Sequence, residues 1–276
     1  MSIKNFIPEL WVNRLLLKFK KSLVYAAAAN RNYEGVIKNL GDTVRISGLG
    51  PITVSAYSGS TLSYQNLESE QQIMKIDQQD YFGFAIDDAD KAQAGVVFMS
   101  DAMDRAAYAL RDTIDQYIAG LYLSAGTQVS TAAVNSVNAY AALLTMRQAL
   151  TALNVPLEGR WAIIPPWFTN SLVLGKILLP SVMDNPAYEN GVVGRAAGFE
   201  LRESNNVPFT GGTTYQIMAG TNAAISYAGQ IDPEKVEALR DKDLFSDFIR
   251  GLLLFGAKVV YPDALVNFPA TIAAEP

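Results

Sequence analysis

The stretch SDAMDRAAYALRDTIDQYIAGLYL, residues 100–123, is the one on which the fold turns. Met99, Met103, Ala106, Leu110, Ile114, Tyr117 and Leu121 recur three or four positions apart, the spacing of one face of an α-helix. Asp101, Asp104, Arg105, Arg111, Asp112 and Asp115 are assigned to the other face, with Asp101 and Arg105 in the favourable acid-before-base order. Ser100 is the expected N-cap, and Ser124-Ala125-Gly126 the expected stop. Such a helix is about 36 Å long, enough to act as a spine.

Upstream, the pattern changes to strands. Thr43-Val44-Arg45-Ile46 alternates, Gly48-Leu49-Gly50-Pro51 is read as a break, and Ile52-Thr53-Val54 resumes before a turn at Tyr57-Ser58-Gly59-Ser60. Gln65 to Gln72 is polar, after which Ile73–Asp77 and Tyr81–Ile86 supply two further strands. This meander has few residues with which to build a core and is expected to project. Residues 1–39 read as an arm with helical pieces, in which Trp11, Leu15 and Phe19 form an apolar stripe beside Lys18, Lys20 and Lys21. Either the stripe packs on its own domain or the arm docks on a neighbouring subunit.

Downstream, a second helix is expected from Val137 to Asn154. Arg160–Ile164 reads as a buried strand, Pro165-Pro166 as a turn, and Trp167–Leu174 as a short helix, an order that points to a mixed layer of helices and sheet. Residues 180–195 are loop by composition. Strands follow at Phe199–Glu203, Tyr215–Ala219, Ala223–Tyr227, Lys235–Arg240 and Phe248–Val260, and Tyr261-Pro262-Asp263 is read as closing the fold.

Composition narrows the chemistry. The 276 residues contain no histidine and no cysteine, which removes imidazole- and thiolate-based catalysis, metal sites built on those ligands, and disulfides. The net charge of -5 has the wrong sign for gripping nucleic acid by bulk charge. Only 18% of residues are charged against a usual ~25%, although a compact monomer of 30.0 kDa exposes roughly 12,000 Å². So thin a charge suits a chain that gives surface to partners or spans a membrane. No apolar run approaches the ~20 residues of a spanning helix, and the alanines at 26–29 follow too short a run for a signal peptide. The chain therefore reads as soluble and made in the cytoplasm.

Local motifs fail as catalytic or ligand-binding signatures. Asp87-Asp88-Ala89-Asp90 opens like a calcium loop, but Gln93 and Met99 stand where glycine and glutamate are needed. Gly175-Lys176 lacks the hydroxyl residue of a phosphate loop, because Ile177 follows. A carboxylate-based hydrolase remains a distant alternative, since acids are plentiful but nothing pairs two of them.

The order of several strings resembles the major capsid proteins of tailed bacteriophages, in the coat protein 5-like group. They are Phe6, Pro8 and Trp11; Asn30-Arg31-Asn32-Tyr33-Glu34-Gly35; Gly41-Asp42-Thr43-Val44; and Ile76-Asp77-Gln78 with Phe84-Ala85-Ile86-Asp87-Asp88 and Gln93. Gly159–Pro166, Gly198-Phe199-Glu200-Leu201 with Ser204 and Val207-Pro208, and Phe255–Pro262 continue the match along nearly the whole chain. The resemblance implies an α+β Hong Kong 97-type capsid fold: arm 1–39, extended loop 40–86, peripheral domain with spine helix 87–129, axial domain 130–233, and peripheral return strands 234–276. It further implies self-assembly as pentamers and hexamers into an icosahedral shell around double-stranded DNA. A scaffolding protein and a portal are the implied partners and a decoration protein a further candidate, with no cofactor, metal, membrane or catalytic residue. The same fold used as an encapsulin-like nanocompartment is the runner-up. Trp11, Tyr57, Tyr64, Ile73, Tyr81 and Tyr188 are the candidate inter-subunit contacts, and residues 52–80 are expected to lie at such contacts outside any private core.

Overall fold

The computed structural model describes residues 23–33, 43–49, 54, 69–177, 192–231, 237–240 and 246–275. Four helices and fourteen strands are named among them. Helix α1 is Tyr25–Ala28, and strands β1 (Thr43–Leu49), β2 (Ser69–Lys75) and β3 (Gln78–Asp87) lead into α2 (Asp88–Ala119). After a 3₁₀ turn at Gly120–Ser124 come β4 (Thr127–Gln128), β5 (Ala132–Val134), α3 (Ala139–Ala152), β6 (Arg160–Ile164) and α4 (Pro166–Leu174). The remainder is β7 (Val192–Ala196), β8 (Phe199–Glu203), β9 (Phe209–Thr210), β10 (Thr214–Thr221), β11 (Ile225–Ile231), β12 (Glu237–Arg240), β13 (Ser246–Val259) and β14 (Leu265–Ile272). No described helix is long and apolar enough to cross a membrane.

The spine helix exists but starts twelve residues before Ser100, so Ser100 lies inside it and caps nothing. Nothing between Asp88 and Ser100 breaks a helix, and the aspartates at its start suit the positive end of the helix dipole. Its 32 residues span about 48 Å. Met103, Ala107, Leu110, Ile114 and Ile118 form the buried stripe. Asp115, expected on the polar face, is buried with them.

The main core draws on two sheets and the helices packed on them. The first has eight strands in the order β4-β14-β10-β6-β8-β7, with β5 also on β14 and β9 on β10. Strand β6 runs parallel to β8 and is buried along its whole length, because α3 and α4 contribute Leu143, Met146, Leu150, Phe168 and Leu172 to the same cluster. In the second sheet β13 is the axis: β3 pairs with residues 246–255 along one side, while β12 and β11 divide the other. Phe82, Phe84, Ile249, Leu253 and Phe255 join this sheet to the spine helix's cluster.

Strand β14 lies beyond the expected end of the fold and sits in the middle of the first sheet, antiparallel to β10 over seven residues. Asn267 and Pro269 hid it, since a buried amide and a proline both argue against a central strand. Asn267 is tolerated because its Nδ2 donates to Oε1 of Gln128 and of Gln216, both at 2.8 Å. Two consequences follow for the expected segments: β11, inside 130–233, belongs to the second sheet, and β14, inside 234–276, belongs to the first. The expected loop at 180–195 is partly strand, because β7 begins at Val192; residues 178–191 lie outside the described residues.

Candidate assembly surface

Strands β1 and β2 form a two-stranded antiparallel hairpin in which Val44 faces Met74 and Ile46 faces Gln72. The strand runs through Gly48-Leu49, where a break was expected, and Ser69–Gln72 of the polar patch is strand as well. Hydrogen bonding across the pair sustains both stretches without an apolar face along their whole length.

The hairpin is not without a core. Val44, Ile46, Met74 and Ile76 bury themselves against Ala228, Leu254 and Val260 in a second, smaller cluster. Residues 74 and 76 therefore contradict the expectation that 52–80 stay outside a private core. The Gln72 amide donates to the Val260 carbonyl at 2.9 Å, and the Lys258 ammonium to the Ile73 carbonyl at 3.0 Å. Gly256 permits the close approach, because a β carbon there would strike the Lys75 carbonyl oxygen and come within 3.1 Å of Ile76 Cα.

This packing covers only part of one sheet face. Leu254 and Gly256 lie under the hairpin and Leu252 packs at its edge, whereas Arg250 and Phe248 continue the same face beyond it. Register places Tyr81 beside Leu252, and Ala85, Phe248 and Leu239 in one row. Tyr81 is 81% exposed, Leu239 45% and Phe248 36%, while Leu252 is half-buried. A sheet face that is apolar on the side away from its own core is a surface suited to a partner.

Of the candidate contacts, Tyr81 lies on this face. Ile73, 45% exposed, lies on the outward side of the hairpin opposite Arg45. Trp11, Tyr57, Tyr64 and Tyr188 fall outside the described residues. Sequence reading missed Leu239, Phe248 and Leu252. The signal was the alternation Phe248-Ile249-Arg250-Gly251-Leu252, which a continuous apolar run at 252–255 obscured.

The chain's N-terminal segment is locked at one place. Leu23, Tyr25, Ala26 and Ala28 are buried in the main core, and the backbone N–H groups of Val24, Tyr25 and Ala26 donate to the Asp115 carboxylate at 2.8, 3.1 and 3.3 Å. Burial pushes the Asp115 pKa up to about 6, against the opposing pull of those three donors and of Arg111. Asn30 then bridges to β11, donating to the Ile225 carbonyl at 2.8 Å and accepting from the Tyr227 N–H at 2.9 Å. Here the expected arm packs on its own chain; residues 1–22, with the Trp11 stripe, lie outside the described residues.

A family model described as phage capsid protein matches residues 71–268. The chain is similar to a solved structure from Mycobacterium phage Che8 at 31% identity and a TM-score of 0.71, covering 90% of this chain and 91% of that one. It is also similar to the capsid structure of the cyanophage P-SCSP1u, at 19% identity, a TM-score of 0.67 and coverage of 92% and 89%. A virus-like particle from Pyrococcus furiosus shares the fold at 13% identity and a TM-score of 0.59, over 93% and 96%. No curated protein matches the chain. The mixed architecture of spine helix, two-stranded hairpin and two sheets is that of Hong Kong 97-type capsid subunits, and the family is one of structural proteins, not enzymes. By its sequence and by its fold, the chain belongs to the phage capsid protein family.

Proposed function

We propose that this chain is the major coat subunit of a tailed phage, whose copies associate as pentamers and hexamers into an icosahedral shell around double-stranded DNA. The observation that carries this reading is the half-covered sheet face: the chain's own hairpin occupies one end, with Leu252 packed at its edge, and Tyr81, Phe248 and Leu239 stay exposed at the other end beside Arg250. A neighbouring subunit is the occupant this face suits, since burying such side chains contributes about 25 cal/mol per Å². The sheet built on β13, with α2, corresponds to the peripheral part, and the eight-stranded sheet to the axial part. Tyr81 and Ile73, together with Trp11, Tyr57, Tyr64 and Tyr188, are taken as inter-subunit contacts. A scaffolding protein, a portal and a decoration protein are the further partners, the packaged DNA lies close to the shell without sequence-specific contact, and assembly takes place in the host cytoplasm.

Electron microscopy of the protein produced with its neighbouring genes tests the reading directly. Closed particles are expected. A monomer with turnover activity and no particles would overturn it. A finer test is Tyr81→Ser combined with Phe248→Ser. Tyr81 is 81% exposed and Phe248 36%, so the isolated subunit should lose no more than about 2 kcal/mol of unfolding free energy and stay folded. Particle yield should nevertheless fall by an order of magnitude or more, and unchanged yield would remove this face from the assembly.

A further inference from the structure

Between Asp115 and Glu158 the chain carries a single charged residue, Arg147, where a stretch of that length ordinarily holds about ten. Much of the stretch is nonetheless at the surface. Helix α3 turns Ala139, Leu143, Met146 and Leu150 into the core and leaves Tyr140, Ala141, Leu144, Thr145, Gln148 and Ala152 exposed on the opposite face. Val137 stands exposed in the turn before the helix. At that same end Gly175 closes on the Ser136 carbonyl oxygen, which a β carbon would strike, so Leu174 of α4 adds another exposed apolar side chain there.

The few polar groups beside this apolar surface are turned onto the protein. Thr145 Oγ1 donates to the Ala141 carbonyl at 3.0 Å and Thr151 Oγ1 to that of Arg147 at 2.8 Å, so both hydroxyls are engaged by the helix's own backbone. Arg147 sits at the flank, its guanidinium carbon 3.9 Å from where a β carbon on Gly198 would stand, in the turn between β7 and β8. Such a face offers a charged partner no counter-charge, and covering it strips that partner of water without return. A polyanion and an acidic protein surface are both poorly matched to it.

We infer that the outer face of α3 is covered by the same face of a second copy of the chain, where copies converge on a rotation axis of the shell. The inference rests on the shell reading. Surfaces that meet at a rotation axis meet their own duplicates, so a charge there confronts a like charge and opposes closure. An uncharged face can be laid against itself without that repulsion, and α3 is the longest described helix to offer one. The face is about 21 Å long and about 10 Å wide, roughly 200 Å² against the ~800 Å² per partner of a stable complex. It therefore closes only within a shell, where other contacts already hold the copies together.

Because the chain contains no cysteine, a Leu144→Cys subunit can be joined by a bismaleimide only to another copy. A reagent spanning about 10 Å matches the separation of two packed helices. Dimers linked at position 144 are expected from intact particles and not from unassembled subunits; Val137→Cys, outside the helix, is read the same way if Leu144→Cys does not assemble. Ala141→Glu and Ala141→Lys each place a good helix former at an exposed position. Each alone should give about tenfold fewer particles, and the two mixed should regain the wild-type yield. Intact particles without linked dimers overturn the inference and leave the shell reading standing, as does a yield that stays low in the mixture. A thiol at 144 that particles shield from a monofunctional maleimide without forming dimers assigns the face to another occupant and also overturns it. Absence of particles from the wild type removes both readings.

Discussion

Gly256→Val is expected to detach the hairpin from the second sheet while leaving the first sheet folded. A β carbon at 256 meets the Lys75 carbonyl oxygen and the Ile76 Cα, both backbone atoms that cannot swing aside as the tip of a flexible side chain can. The strand pair must therefore lift, and with it the burial of Val44, Ile46, Met74 and Ile76 against Leu254 and Val260. Truncating a single buried Met or Ile costs about 2–5 kcal/mol, and this substitution disturbs three of them, Ile46, Met74 and Ile76, at once. Amides of β1 and β2 should exchange at least a hundredfold faster on unassembled subunits, a change of about 2.7 kcal/mol. Those of β10 and β14 should keep their protection. Particles should fail to form, because the hairpin is no longer held in place on the second sheet. Wild-type protection at Val44 and Met74 in the variant would show that the contact yields after all.

Asp115→Ala is expected to release the N-terminal segment and destabilise the subunit by about 3 kcal/mol or more. The buried N–H groups of residues 25 and 26 and the partly buried one of residue 24 lose the side-chain acceptor they share, and each unsatisfied donor costs about 1–3 kcal/mol. The pH dependence has a definite sign. The folded carboxyl holds its proton up to about pH 6, above its ordinary value of 3.8, so the folded state binds that proton more tightly than the unfolded chain does. Its contribution is thus fully present below about pH 3.8 and is lost as pH rises through about 6, a change of about 3 kcal/mol over the window. Arg111 on α2 and the Tyr25 hydroxyl on α1 are the other ionisable groups coupled to it. Urea midpoints of wild type and Asp115→Asn, compared between pH 4 and 7, read this out. The wild type should lose stability relative to Asp115→Asn as pH rises, and parallel curves would show that Asp115 titrates at its ordinary value.

Local patterns in the chain read correctly wherever one element's own period decided the outcome. Arg160–Ile164 is a strand buried throughout, and the turn of Pro165-Pro166 into a short helix is present as read. Met103, Leu110 and Ile114 of the spine helix's buried stripe are legible for the same reason, since a 3.6-residue period needs no knowledge of the partner, whereas Ala107 and Ile118 take the buried places expected for Ala106 and Tyr117. Boundaries failed where a residue's role depended on something distant. Ser100 has a cap-forming side chain, but whether a helix starts there depends on what precedes it. Asp115 looks like a surface acid until the backbone of residues 24–26 arrives from about ninety positions away. Tyr81 could be named from the sequence as a candidate, whereas Phe248 and Leu239 became its neighbours only through the register of β3 and β12 on β13.

The sequence by itself determined the class of protein. The absence of histidine and cysteine, the thin charge and the ordered strings at 30–35, 76–88, 159–166 and 255–262 are properties of composition and order, and they survive without any coordinates. Tertiary structure alone decided which surface is spare. A sheet face is core or contact according to what lies upon it, and on the face of β13 the chain's own hairpin covers Leu254 but stops short of Phe248. Hydrophobic side chains a few residues apart in one strand thus acquire opposite roles, because burial is set by contacts between segments far apart in the chain and not by the residues that are buried.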